Sequence, residues 1–143
     1  MGGNIGGSFS SGAFDDLEKR IMERLRALAQ SANKVLFACE SEDQRALASH
    51  MARAGFQVGD KVAMAIGPDA STYASEVASA QLLITFSDSA PQCTFLDVLV
   101  EAAFRSQRQC IHVRAHSDAS IPSKVLAYRW RVMSWDELVG LIR

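Results

Sequence analysis

Four clusters in this chain carry side chains able to do chemistry. Ser87-Asp88-Ser89 follows the apolar run Leu82 to Phe86. Cys39-Glu40-Ser41 ends a second run, Lys34 to Cys39. Arg114 and His116 follow Cys110 to Val113, and Asp97, Glu101 and Arg105 recur at four-residue spacing within Thr94 to Gln107. Hydroxyls and carboxylates beside a cation can bind a ribose or a nucleotide. A carboxylate in the first turn of a helix, as Asp97 would be, can contact a ribose or act as a general base. Glu101, one turn on, is a second catalytic candidate or a partner for Arg105. The candidate ligand-binding set is Cys39, Glu40, Ser41, Ser87, Asp88, Ser89 and Arg114.

Two further patterns carry less. Cys39 to Arg45 has the C-x5-R spacing of a phosphatase cysteine and its arginine. Such a loop must wrap a phosphate dianion in backbone N–H groups under a positive potential. This one has no glycine and carries Glu40, Glu42 and Asp43, so the spacing reads as coincidence. His50 and His112 lie inside regular elements and read as surface or packed residues, and no Ser/His or Cys/His pair follows from the sequence. No Cys/His cluster has metal-ligand spacing, so no metal is expected.

These residues need elements to position them. Phe14, Leu17, Ile21, Leu25 and Leu28 predict an amphipathic helix over 14–31. Residues 1–13, Gly/Ser-rich and uncharged, predict a flexible tail. Strand Lys34 to Cys39 leads into Ser41-Glu42-Asp43-Gln44, a capping-box pattern opening a helix to Ala54 that Gly55 can stop. A strand over Lys61 to Ile66, a Gly67-Pro68-Asp69 turn and a short helix Thr72 to Ser79 come next. Then follow strand Gln81 to Phe86, helix Thr94 to Gln107, buried through Leu96, Val100 and Ala103/Phe104, and strand Gln109 to Arg114. A last strand, Ala127 to Met133, precedes a second capping box, Ser134 to Glu137, and a helix to Ile142, with Trp130 and Trp135 packing it on the sheet edge. Alternating strands and helices imply a three-layer α/β domain over 32–143 with a parallel five-stranded sheet in flavodoxin-like order 2-1-3-4-5. The carboxyl-end loops of strands 1 and 3 would then line one crevice, where ligands favour binding.

The chain's 143 residues, 48% hydrophobic and 22% charged, suffice for one self-sufficient core. A net charge of -1 gives no electrostatic basis for nucleic acid or an anionic membrane. No apolar run approaches the length that spans a bilayer, and the N-terminus lacks signal-peptide features. Three cysteines, two of them in strand patterns, read as free thiols in a reducing, cytoplasmic setting.

Several segments together resemble a Toll/interleukin-1 receptor (TIR)-like domain. KVLFACESEDQRALASHMARAGFQV looks like the opening strand, loop and first helix of such domains, and TYASEVASAQLLITFSDSA like a short helix and the strand ending in serine. LDVLVEAAFRSQRQCIHV looks like the next helix and strand, and RWRVMSWDELVGLI like the closing pair. The resemblance implies a signalling module that associates with itself or with another TIR-like domain, with no cofactor required. It also implies an alternative, cleavage of NAD+ at the nicotinamide–ribose bond by a glutamate one turn after a Trp-Cys pair. Here Gln92 precedes Cys93 and Leu96 stands where that glutamate belongs, or Leu99 if EAAF sets the alignment. Asp97 and Glu101 are the displaced candidates. The Gly67-Pro68-Asp69 turn also differs from the family's Arg-Asp followed by Pro-Gly. A nucleotide-sensing domain without turnover is a third reading.

Overall fold

Strands built almost wholly from Val, Leu, Ile, Phe, Ala and Cys must be covered on both faces, and they are. The computed structural model describes residues 7–142. Helix α1 (Gly7–Ser31) is followed by β1 (Val35–Cys39), α2 (Gln44–Ala54), β2 (Val62–Ile66), α3 (Ala74–Ser79) and β3 (Leu82–Ser87). Then come α4 (Thr94–Arg105), β4 (Gln109–Arg114), α5 (Ser123–Ala127), β5 (Arg131–Ser134) and α6 (Trp135–Ile142). The five strands form one parallel sheet in the order β2-β1-β3-β4-β5, the expected flavodoxin-like arrangement.

Strand alternation divides the core in two. Leu36, Ala38, Leu83 and Cys110 pack with Val77 of α3, Leu96, Leu99 and Val100 of α4 and Val125 of α5. Phe37, Ile84, Phe86, Ile111 and Val113 pack with Leu25 of α1, Leu47 and Met51 of α2, and Leu138 and Leu141 of α6. The sheet is the middle of three layers. Among the described residues no helix is long and apolar enough to cross a membrane.

Three expectations are corrected. Residues 7–13, assigned to a tail, are the first turns of α1, while residues 1–6 and the side chain of Phe14 lie outside the described residues. The strand expected from Ala127 begins only at Arg131. Before it, Ser123–Ala127 is a helical turn that Pro122 starts, and Arg129, at φ 58, breaks the chain into the strand. Phe104, expected in the buried stripe of α4, is exposed and stacks on Tyr128 with ring centroids 3.9 Å apart.

Helix ends follow their signals unevenly. Gly55 closes α2 at φ 84, a conformation that costs glycine little. At α6 the capping box forms: the Glu137 amide donates to Ser134 Oγ (3.2 Å) and the Ser134 amide to Glu137 Oε1 (3.0 Å). At α2 it does not. Ser41 to Asp43 form a 3-10 turn, and the Asp43 side chain turns away from its own helix.

Candidate functional site

The carboxyl ends of β1 and β3 meet at the point where the strand order reverses. Two buried carboxylates fill that space. Asp43 is fully buried and accepts from the amides of Asp88 (3.0 Å), Ser89 (2.8 Å) and Ala90 (3.0 Å) and from Ser89 Oγ (3.1 Å). Glu40, also buried, accepts from the Leu96 amide (2.9 Å) and so caps α4 from another part of the chain. Burial pushes the Glu40 carboxyl above its ordinary value, against the pull of the Leu96 and Phe95 amides. Together these two residues fix the path of the β3–α4 loop.

The expected ligand-binding residues therefore divide. Cys39 is wholly buried in the sheet and its thiol is pushed up to about 12, chiefly by burial, so a ligand cannot reach it. Glu40 is spent on α4. Ser87 is buried with its hydroxyl on a ring nitrogen of His112. Ser41 and Ser89 are exposed. Asp88 pairs with His116 Nε2 at 3.1 Å, and Arg114 donates from Nη1 to the Ser117 carbonyl at 2.9 Å. The structure brings Asp88, Arg114 and His116 to one edge and withdraws Cys39, Glu40 and Ser87 from it.

Asp97 and Glu101 both serve the joint between α4 and α5. Asp97 Oδ1 accepts from the Lys124 amide (2.8 Å) and Oδ2 from Ser123 Oγ (2.9 Å), capping α5. Glu101 accepts from the Tyr128 hydroxyl and from Arg105 Nε (2.7 Å), with Lys124 Nζ at 3.3 Å. Hydrogen bonds from Tyr128, first, and Arg105 hold the Glu101 carboxyl at about 2. Leu96 and Leu99, the positions that alignment would make catalytic, are buried apolar residues.

One arrangement escaped the sequence reading. His112 lies wholly buried on β4, opposite Thr85 of β3 in the sheet register. Its Nδ1 is 2.8 Å from Thr85 Oγ1 and its Nε2 is 2.9 Å from Ser87 Oγ. Burial, foremost, pushes the imidazole down to about 4, so it stays neutral near pH 7. No solvent reaches this Ser–His pair, which makes it a structural polar seam within an apolar layer. The period-two pattern places Thr85 and Ser87 on one face of β3, but only the register supplies their partner.

Open space lies in two places: a hollow of about 630 Å³ at Ser41, Glu42, Gln44, Arg45 and Ala48, and a groove further along the carboxyl edge, at β4 and β5. A cleft of about 460 Å³ runs between α2 and α6, lined by His50, Arg53, Ala115, Ser134, Trp135 and Asp136. A smaller one of about 220 Å³ continues past Ala115 and Ser134 to Arg114, His116 and Glu137. Among the described residues no group of three His, Cys, Asp or Glu side chains converges as a metal site would require.

No protein-family model matches this chain, and no curated protein does. Among solved structures it is similar to the flavodoxin-like domain of a Synechococcus sp. protein, at 13% identity over 76% of this chain and 92% of that one, with a TM-score of 0.45. It is also similar to the Vibrio vulnificus NanR protein complexed with ManNAc-6P, at 15% identity and a TM-score of 0.45. That match covers 98% of this chain but only 58% of NanR.

Proposed function

We propose that this chain is a TIR-like interaction module that works by association, with a second copy of itself or with another domain of the same kind, and without turnover of NAD+. The observation that carries the reading is the joint of α4 and α5. Asp97 and Glu101 clamp α5 in place, and beside the clamp Val98, Phe104 and Leu126 stand 52%, 48% and 60% exposed. On this reading these exposed apolar side chains are the surface a protein partner would cover. The same clamp removes both carboxylates from the role of stabilising a ribosyl cation. Three free, buried cysteines suit a reducing compartment, and the cytoplasm is the proposed location.

Sedimentation across a range of protein concentrations, paired with an assay of nicotinamide release, tests the reading. Reversible self-association that Leu126→Glu abolishes, with no nicotinamide released even in the assembled state, is the expected result. A monomer at every concentration that cleaves NAD+, and stops doing so as Glu101→Ala, would replace it with the hydrolase.

A further inference from the structure

The groove along the carboxyl ends of β4 and β5 has no part in the association proposed above, and its chemistry is that of a small-molecule site. We infer that it binds an organic phosphate bearing a planar ring, a ligand of mononucleotide size. Four observations lead there.

The first is space. The two clefts share Ala115 and Ser134, so they form one groove of mixed width, and the larger lobe alone falls in the range of ligand pockets. Alanine at 115 keeps the shared wall low. The second is an unpaired cation. Arg53 makes no ion pair with any carboxylate among the described residues, and it stands one turn beyond His50 on the face of α2 that lines the cleft. A guanidinium free of carboxylate partners matches a phosphate group.

The third is a rigid ring. The Trp135 indole is braced by Phe56, Phe86 and Phe37 at centroid distances of 6.1, 6.0 and 6.2 Å, and by His50 at 5.2 Å. His50 is itself fixed through Nδ1 on the Ala46 carbonyl at 2.9 Å. A half-buried indole held from several sides offers a stacking surface at little entropic cost. The fourth is an acceptor. Asp136 lines the same cleft and makes no ion pair among the described residues, whereas Glu137 is spent on the Ser134 amide. Asp136 can take a sugar hydroxyl or a ring N–H, while Arg114 and His116 line the narrow end for the remainder of the ligand.

Isothermal titration of the full chain with AMP, adenosine and inorganic phosphate decides the matter. AMP is expected to bind saturably and more tightly than either fragment. Arg53→Ala, at an exposed position, is expected to weaken AMP about tenfold, as loss of a charge-assisted contact should. Arg45→Ala, on α2 but outside the groove, should leave binding unchanged. No heat with AMP would overturn the inference. So would AMP binding that Arg53→Ala leaves intact, or adenosine binding as tightly as AMP, because the anion subsite would then be idle. None of these results bears on self-association, so the two readings fail separately.

Discussion

At the scale of single residues, buried polar groups set the stability of this protein more than its exposed ions do. His112 is the clearest case. Its folded value of about 4 lies below the ordinary 6.5, chiefly because burial disfavours the charged ring. Between those values the unfolded chain binds the proton and the folded one does not, so stability must rise with pH across that window. A depression of that size is worth roughly 3 kcal/mol, fully present above about pH 6.5 and lost as pH falls toward 4. Urea unfolding at a series of pH values checks this; His112→Phe should lower stability at pH 7 yet flatten the slope, and an unchanged slope would place the titration elsewhere. Asp43 should be costlier to alter. Asp43→Ala strands the amides of Asp88, Ser89 and Ala90 and should destabilise by about 3 kcal/mol or more. Glu40→Gln keeps an acceptor for the Leu96 amide while removing a charge from a buried site, so it should be close to neutral at pH 7, whereas Glu40→Ala should cost about 1 kcal/mol. None of these partnerships was legible in the sequence. Glu40 and Asp43 read as loop carboxylates because their partners lie 56 and about 45 residues away. Cys39 read as a site residue because it ends a strand; alternation put its side chain into the apolar α2/α6 layer, out of reach of a ligand.

At the scale of elements, local signals succeeded where the element's own residues complete them. Ser134 and Glu137 cap α6 because both belong to one turn and nothing competes for them. The matching box at Ser41 does not form: Asp43 is drawn to the β3–α4 loop and Glu40 to the first turn of α4, and Ser41 to Asp43 make a 3-10 turn. The sheet order was legible, since five apolar runs alternating with helices admit few right-handed parallel arrangements. Helix α5 was not, because its five residues carry no cap of their own; Asp97 on α4 supplies it. Asp97→Ala should therefore melt α5 locally. A loss of about 1 kcal/mol is expected, read as faster hydrogen exchange at the Lys124 and Val125 amides with the strands still protected. If exchange accelerates uniformly across the sheet, α5 is no separate unit and the clamp holds the whole layer.

At the scale of the whole molecule, α1 is the element that ordinary three-layer logic does not require. The sheet already has α2 and α6 on that face, yet Leu25 is buried among Phe37, Ile111 and Leu141, with Ile21, Met22 and Leu28 packed beside it. Residues 15–20 upstream are exposed, apart from the pairing of Glu18 with Arg131 on β5. One helix thus has two halves, a docked half over Ile21 to Ala29 and an exposed half carrying Leu17 at 52% exposure. Docking and association make opposite demands on these halves. If α1 is a fixed part of the fold, Leu25→Ala should cost about 2 kcal/mol, the low end for a buried leucine since the site borders solvent, and Leu17→Ala should cost almost nothing. Removing residues 1–31 would then expose the face around Val35 and Ile142 and lower the unfolding midpoint more than Leu25→Ala does. Were α1 instead an assembly helix that merely rests on the domain, Leu25→Ala and the truncation would both leave the denaturation midpoint of dilute protein unchanged, and Leu17→Ala would reduce self-association. The midpoint of the truncated chain separates the two, because burial on the sheet acts at any concentration and assembly does not.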